Sequence, residues 1–118
     1  MRTFILQEII TIRGGSGAGT VTQSESGWLD LSELQDLVAW LDVREASGSP
    51  TIAIQTSPTK DDGLFATMVS QALSVGTWQL KVLLASASVP LARYVRWQIT
   101  GTPTWDATFR AYVAAGAG

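Results

Sequence analysis

The sequence predicts an all-β protein, an antiparallel β-sandwich or jelly roll of seven to nine short strands. Most apolar runs alternate with polar residues at a period of two, which is typical of strands with one buried face. Clusters of Gly, Pro, Ser and Asp separate these runs, and no strand–helix–strand rhythm is visible. At 118 residues, 46% of them hydrophobic, the chain is long enough for its own core, so we expect one domain over residues 1–118.

The composition excludes several classes of function. The chain contains neither histidine nor cysteine, which removes histidine-based catalytic triads, thiolate metal sites and disulfides. Its net charge of −2 comes from 10 acidic and 8 basic residues without blocks, so we expect no nucleic-acid partner. No apolar run is long enough to span a membrane, and no N-terminal targeting segment is recognisable. We therefore predict a protein made in the cytoplasm, with no membrane contact, catalytic residue, cofactor, metal or small-molecule ligand.

Residues 91–113 contain two alternating runs joined by the turn-forming residues 101–104, which predicts a β-hairpin. One face of this hairpin is apolar in both arms and suits the core: it carries Val95, Trp97, Ile99 and Phe109. The other face carries Tyr94, Arg96, Arg110 and Tyr112. Arginine and tyrosine are common at protein–protein contacts. We therefore predict an interface at these four residues, with ordinary solvated surface as the alternative.

The N-terminal residues 3–12 form the first predicted strand. Strict alternation puts Phe4, Leu6, Glu8, Ile10 and Ile12 on one face and Ile5, Gln7, Ile9 and Thr11 on the other. Both faces are partly apolar, which indicates a strand that is buried on one side and meets a neighbour, such as another subunit, on the other. Ile5 and Ile9 are therefore interface candidates.

Residues 28–45 fit two periodicities. Leucines recur at helical spacing, with a serine and a glutamine placed as in a capping box, which indicates a helix over 32–41. The same residues also alternate between apolar and polar, which favours a turn at 31–35 followed by a strand to Glu45.

The strand interpretation also assigns a face to one tryptophan. In a strand, Trp40 shares one face with Asp42 and Arg44. A tryptophan on such a polar face is typical of an interface, so we expect Trp40 at one. Beyond this stretch, further strands are predicted at 51–56, 64–69 and 77–84.

Two loops resemble ligand-binding loops only superficially. The glycine cluster at 13–19 lacks the lysine of a phosphate-binding loop and is followed by β-branched residues, so a flexible surface loop is the better interpretation. Asp61 and Asp62 suggest a calcium site, but their spacing does not match an EF-hand. Solvated loop charges explain them better.

The five tryptophans raise the possibility of carbohydrate binding, because exposed indole faces stack on sugars. Trp78 and Trp97 lie on apolar alternating faces, where burial in the core is the simpler interpretation. Trp28 and Trp105 lie beside loops. They are the candidates for an exposed ligand platform.

Several short motifs resemble a group of small β-sandwich proteins encoded among the virion genes of tailed bacteriophages and prophages. They are Trp28-Leu29-Asp30-Leu31, the turn Ala46-Ser47-Gly48-Ser49-Pro50 before a strand that ends at Ser57-Pro58, the strand Arg93-Tyr94-Val95-Arg96 that runs to Thr100-Gly101, and Ala107-Thr108-Phe109. The similarity covers roughly residues 28–113, and it favours the strand interpretation of residues 28–45.

The resemblance implies a non-enzymatic virion component, such as a capsid decoration or cement protein or another head or tail accessory protein. Such a protein would dock on capsid or tail proteins, and low charge and the apolar first strand add the expectation of a homo-oligomer. Its location would be the virion, after synthesis in the host cytoplasm. The alternative is a carbohydrate- or surface-binding β-sandwich module.

Overall fold

The protein folds into two antiparallel β-sheets packed face to face. The structure is a computed structural model, and it describes residues 2–13, 19–32, 34, 36–74, 79–84, 91–101 and 104–116. In these residues the strands are β1 (Arg2–Ile12), β2 (Thr20–Thr22), β3 (Leu29–Asp30), β4 (Asp36–Ser47), β5 (Thr51–Ser57), β6 (Ala66–Ala72), β7 (Gln79–Leu84), β8 (Tyr94–Thr100) and β9 (Asp106–Gly116). The all-β prediction is confirmed.

The strand order is that of a jelly roll. Sheet A has the order β1-β9-β4-β7, and sheet B has the order β2-β8-β5-β6 with the short β3 added beside β8. The chain changes sheet six times, after β1, β3, β4, β6, β7 and β8. This repeated crossing wraps the strands into a four-stranded layer and a five-stranded layer around one core, as in double Greek-key jelly rolls.

The predicted hairpin at residues 91–113 is wrong. β8 pairs with β2, β3 and β5 in sheet B, whereas β9 pairs with β1 and β4 in sheet A. Each strand has an apolar inward face, and the two faces meet across the core instead of lying side by side. The crossing passes Gly101, where a Cβ atom would lie 2.9 Å from Trp105 Cδ1 and 3.1 Å from Pro50 Cα. Only glycine lets the backbone pass that close.

The core lies between the inward faces of the two sheets. Trp97 of β8 and Phe109 of β9 contact each other edge to face across it, with ring centroids 5.2 Å apart. Around this pair pack fully buried aliphatic residues of both sheets, among them Leu41, Val43, Ile52, Ile54, Val95, Ile99 and Val113. The prediction that Trp97 is a core residue is confirmed. The same prediction for Trp78 falls outside the described residues.

The ambiguous stretch forms a strand and not a helix. β4 pairs with β9 on one side and with β7 on the other, so tertiary pairing overrides the leucine spacing. After β4 the backbone turns through Gly48 and Ser49, with φ angles of 78° and 55°, and enters β5 in the other sheet. The turn-forming residues 46–50 therefore connect a strand of sheet A to a strand of sheet B.

The remaining predicted strands are present with shifted ends. Residues 51–56 lie in β5. The strand predicted at 64–69 starts at Ala66, because Asp62–Leu64 forms a short 3-10 helix that the Asp61 side chain caps through Gly63 N. The strand predicted at 77–84 is described from Gln79. The glycine cluster prediction concerns mostly residues 14–18, which lie outside the described residues.

Candidate interaction face

Two β-bulges in β1 set the side chains of its outer face. The register against β9 shifts between Ile5 and Gln7 and again between Gln7 and Ile10. Strict alternation would have buried Glu8, and placing an unpaired carboxylate in the core is costly. The bulges avoid this cost, because they leave both Glu8 and Ile9 exposed.

Gln7 takes an inward position as a result. Its Oε1 atom accepts a hydrogen bond of 3.0 Å from the indole N–H of Trp97. The predicted alternation is thus wrong for Gln7 and Glu8, whose faces are exchanged, and right for Leu6, which is buried, and for Ile5, which is exposed. The half-buried amide of Gln7 accepts from the indole and donates from Nε2 to Glu8 O at 3.0 Å, whereas a carboxylate at the same place would bring an uncompensated charge towards the core.

The outer face of sheet A carries two strongly exposed isoleucines. Ile5 is 51% exposed and Ile9 is 56% exposed. Together with Glu8, Arg110 and Tyr112 they line a groove of about 330 Å³. Among the described residues only one further large apolar side chain, Leu64 at 53%, is comparably exposed. Leu64 lies in the loop before β6 and not on sheet A.

Five of the seven predicted interface residues share this outer face. The register pairs Ile5 with Tyr112 and Tyr112 with Trp40 across three neighbouring strands, and Ile9 and Arg110 line the groove beside them. Side chains of paired residues in antiparallel strands lie on the same face. The structure thus brings together residues that the sequence assigned to separate segments.

Asp42 lies at the centre of a charge cluster on the same face. Its side chain is only 2% exposed and accepts hydrogen bonds from Arg44 at 2.9 and 3.0 Å and from Arg110 Nε at 2.7 Å. Arg110 also lies 5.4 Å from the ring of Tyr112. The Arg44 hydrogen bonds, and after them those of Arg110, outweigh burial and hold the pKa of Asp42 below its ordinary value. Asp42 was not predicted as part of the site, although its place between Trp40 and Arg44 could have indicated it.

This lowered pKa predicts a loss of stability in acid. Because the folded pKa lies below the unfolded value of about 3.8, Asp42 contributes its full stabilisation above that value and loses it as the pH falls through the folded pKa. We expect Asp42→Asn to lower the free energy of unfolding near pH 7, and the difference from the parent to shrink below pH ~4. Urea titrations from pH 7 to pH 2 would measure it. A difference that stays constant with pH would contradict the prediction.

Arg96 is buried within its own chain, so neither the predicted interface nor the alternative of a solvated surface describes it. It is 3% exposed on the outer side of sheet B, with its guanidinium 3.9 Å from the ring centroid of Phe65 and 5.2 Å from that of Trp28. Its Nε atom donates to Gln55 Oε1 at 2.8 Å, and its Nη1 atom forms an ion pair with Asp62. The loop before β6 folds over the strand and covers it. Arg96 therefore holds that loop on sheet B.

Tyr94 also belongs to sheet B. Lys60 and Arg93 lie 5.6 Å and 5.1 Å from its ring centroid, and Arg93 pairs with Asp30 at 3.1 Å. The hydrogen bond from Arg93 is the main cause that lowers the pKa of Asp30 to about 2. Since β8 and β9 lie in different sheets, the predicted four-residue face of tyrosines and arginines is split between the two opposite sides of the molecule.

The structure does not present the predicted indole platform. Trp105 is 0% exposed, and its indole N–H donates to Gly19 O at 3.2 Å, so its prediction as an exposed residue is wrong. The residue lies where the chain crosses between the sheets and closes one end of the core. Trp28 is half-buried, its N–H bonds Gln23 O at 2.8 Å, and Phe65 and Arg96 cover its ring.

The rest of the outer face of sheet B is polar and internally satisfied. Amide and hydroxyl groups form a chain across four of its five strands: Gln98 donates to Thr22 at 2.9 Å, and Gln55 donates to Gln98 and to Thr67, each at 3.3 Å. No buried side-chain nitrogen or oxygen in the described part of the chain lacks a partner. A saturated face of this kind offers few groups to a ligand and suits contact with water.

The described residues contain no group of three or more acidic side chains placed to hold a metal ion. Asp61 caps a backbone N–H and Asp62 pairs with Arg96, so each of the two candidate calcium ligands has a structural partner. None of the described helical segments combines the length and the apolar character needed to cross a bilayer.

Comparison with known proteins shows similarity of fold. No protein-family model matches the sequence, and no curated protein matches it. Among solved structures, PBSX exported protein XepA superposes on 99% of this chain with a TM-score of 0.62 at 16% identity. The K3 and K1 cleaved adhesin domains of Lys-gingipain from Porphyromonas gingivalis W83 cover 92% and 98% of this chain, with TM-scores of 0.55 and 0.52 at 17% and 15% identity.

The share of each matched structure that this chain covers differs among the three. This chain spans 37% of the XepA chain, 74% of the K3 domain and 98% of the K1 domain. At such identities the likeness concerns the arrangement of the strands. The comparisons therefore show that the chain has an all-β sandwich fold also found in PBSX exported protein XepA and in adhesin domains of Lys-gingipain.

Proposed function

We propose that this protein is a non-enzymatic structural component of a bacteriophage virion, a capsid decoration protein or another head or tail accessory protein. In this proposal the outer face of sheet A is its protein-contact face. The proposal rests on the geometry of that face, on the sequence resemblance to phage virion β-sandwich proteins, and on a fold shared with the phage-related XepA.

The observation that carries the proposal is the contrast between the two outer faces. The face of sheet A exposes Ile5 and Ile9 beside the aromatic residues Tyr112 and Trp40. The face of sheet B is closed by a hydrogen-bonded chain of glutamines and threonines. Contiguous exposed apolar side chains with aromatic neighbours are typical of protein contacts. A molecule with one apolar side and one hydrated side suits a structural component that assembles with other protein subunits.

The test is whether the protein is a stoichiometric part of particles. Particles purified from a host that encodes the protein, analysed by quantitative mass spectrometry, should contain it at a constant ratio to the major capsid or tail protein. Ile9→Asp should lower its copy number by about tenfold or more, because an ordered partner would have to bury a carboxylate. Leu64→Asp, equally exposed but away from the face, should leave the copy number unchanged. Absence of the parent protein from particles would overturn the proposal.

The alternative, a surface- or carbohydrate-binding module, has one supporting observation, the fold shared with the gingipain adhesin domains. Its predicted platform is not available, since Trp105 is buried and the Trp28 ring is covered. Binding of the parent protein to a glycan array, combined with its absence from particles, would favour this alternative.

A further inference from the structure

We infer that the outer face of sheet A is occupied by a second copy of this chain, so that the protein forms a dimer about a two-fold axis that passes through the groove beside β1. This inference deepens the proposed function and rests on the same face. It names the partner that the face contacts directly.

The position of the partner follows from the form of β1. An edge strand has unpaired backbone groups that can pair with a further strand. In β1 two bulges interrupt this edge, and Gln23 Nε2 donates to the backbone oxygen of Leu6 at 2.7 Å. Bulges and covered backbone groups are how proteins block the addition of a strand. A partner therefore packs against the face of the sheet, where Ile5 and Ile9 project, and not along its edge.

The charges of the face suit a copy of itself. Asp42 is neutralised within the chain by Arg44 and Arg110, and Glu45 pairs with Arg13 at 2.7 Å. A face neutralised in this way gives no preference for a strongly acidic or basic partner.

The groove itself has groups of both signs. Glu8, which makes no ion pair with any described side chain, lines the groove together with Arg110. In a two-fold contact every pairing occurs twice, so a pairing of Glu8 in one chain with Arg110 of its partner would be repeated on the other side of the axis.

The size of the face is sufficient for a dimer interface. Strands of 11, 11 and 12 residues, with the shorter β7 beside them, give a surface of roughly 600 Å² at about 4.8 Å between strands and about 3.3 Å per residue. Stable interfaces begin at about 600 Å² per partner. The face is therefore large enough for a specific dimer.

The experiment is sedimentation velocity of the purified protein between about 1 and 200 µM. The parent should shift from monomer to dimer over this range. Ile5→Asp combined with Ile9→Asp should raise the dissociation constant by about tenfold or more, and Leu64→Asp should leave it unchanged. Far-ultraviolet circular dichroism would show that each variant is folded. A parent that stays monomeric at 200 µM, a dimer unaffected by the two aspartates, or a larger assembly would each overturn the inference.

A second measurement uses the absence of cysteine from the chain. Ile9→Cys mixed with Ile5→Cys should form a disulfide-linked dimer under mild oxidation, whereas Leu64→Cys should not. The substitutions are at exposed positions, so we expect the fold to be retained. The outcome is separate from that of the virion test: a dimer that is absent from particles would refute the proposed function alone, and a monomer found in particles would refute the dimer alone.

Discussion

Replacing Trp97 with alanine should lower the free energy of unfolding by about 3–5 kcal/mol, the usual range for truncating a large buried aromatic residue. Trp97 is 2% exposed and contacts Phe109 of the other sheet, with ring centroids 5.2 Å apart. Its removal leaves a cavity between the two layers. It also leaves Gln7 Oε1 without its indole donor at a β-bulge, so the loss has a packing part and a hydrogen-bonding part.

Two variants separate these parts in chemical denaturation. Trp97→Phe keeps a ring against Phe109 and loses the bond to Gln7, so we expect a smaller loss of about 1–2 kcal/mol. Trp40→Ala removes an indole that is only half-buried on the outer face, and it should cost less than Trp97→Ala. A Trp97→Ala loss below that of Trp40→Ala would contradict the assignment of Trp97 to the centre of the core.

The fold class could be predicted from the sequence because alternation is a local signal. It identified the strands that contain Trp97 and Phe109 and the face of each that is buried. Strand pairing is not local, and the two strands were taken for a hairpin because a turn-like segment joins them. The inward faces of a hairpin and of two stacked strands look identical in sequence. What distinguishes them here is Gly101, which passes within contact distance of Trp105 and Pro50.

The candidate face was predictable only in part for a similar reason. Ile5 and Ile9 were identified because they lie on an apolar second face of β1. Glu8 was assigned to the buried face, although a carboxylate there is itself a signal that the alternation must break. A bulge cannot be located from periodicity alone, but an acidic residue at a core position of a strand indicates where to expect one.

The burial of Arg96 could not be predicted from the sequence. An arginine on the polar face of a strand is expected to be exposed, and only the fold shows that the loop carrying Asp62 and Phe65 closes over it. The resulting ion pair is asymmetric, because the Arg96 side chain is 4% exposed and the Asp62 side chain is 79% exposed. The two partners should therefore respond differently to replacement.

Asp62→Ala should lower the free energy of unfolding by about 3 kcal/mol, because it leaves a buried guanidinium without its counter-charge. Arg96→Met should cost less, about 1–2 kcal/mol, since methionine can fill the space between the two rings, Asp62 remains hydrated, and the main loss is the donor to Gln55. Asp61→Ala, which removes only the cap on Gly63, is the matched control and should cost about 0.5–1 kcal/mol.

The double variant gives the decisive comparison. With Met at 96, the loss caused by Asp62→Ala should nearly disappear, so the two substitutions should be strongly non-additive in urea denaturation. The order of the single variants is the sharper test. If Arg96→Met were more destabilising than Asp62→Ala, the arginine would contribute mainly through its contacts with Trp28 and Phe65, and the ion pair would not be what holds the loop on sheet B.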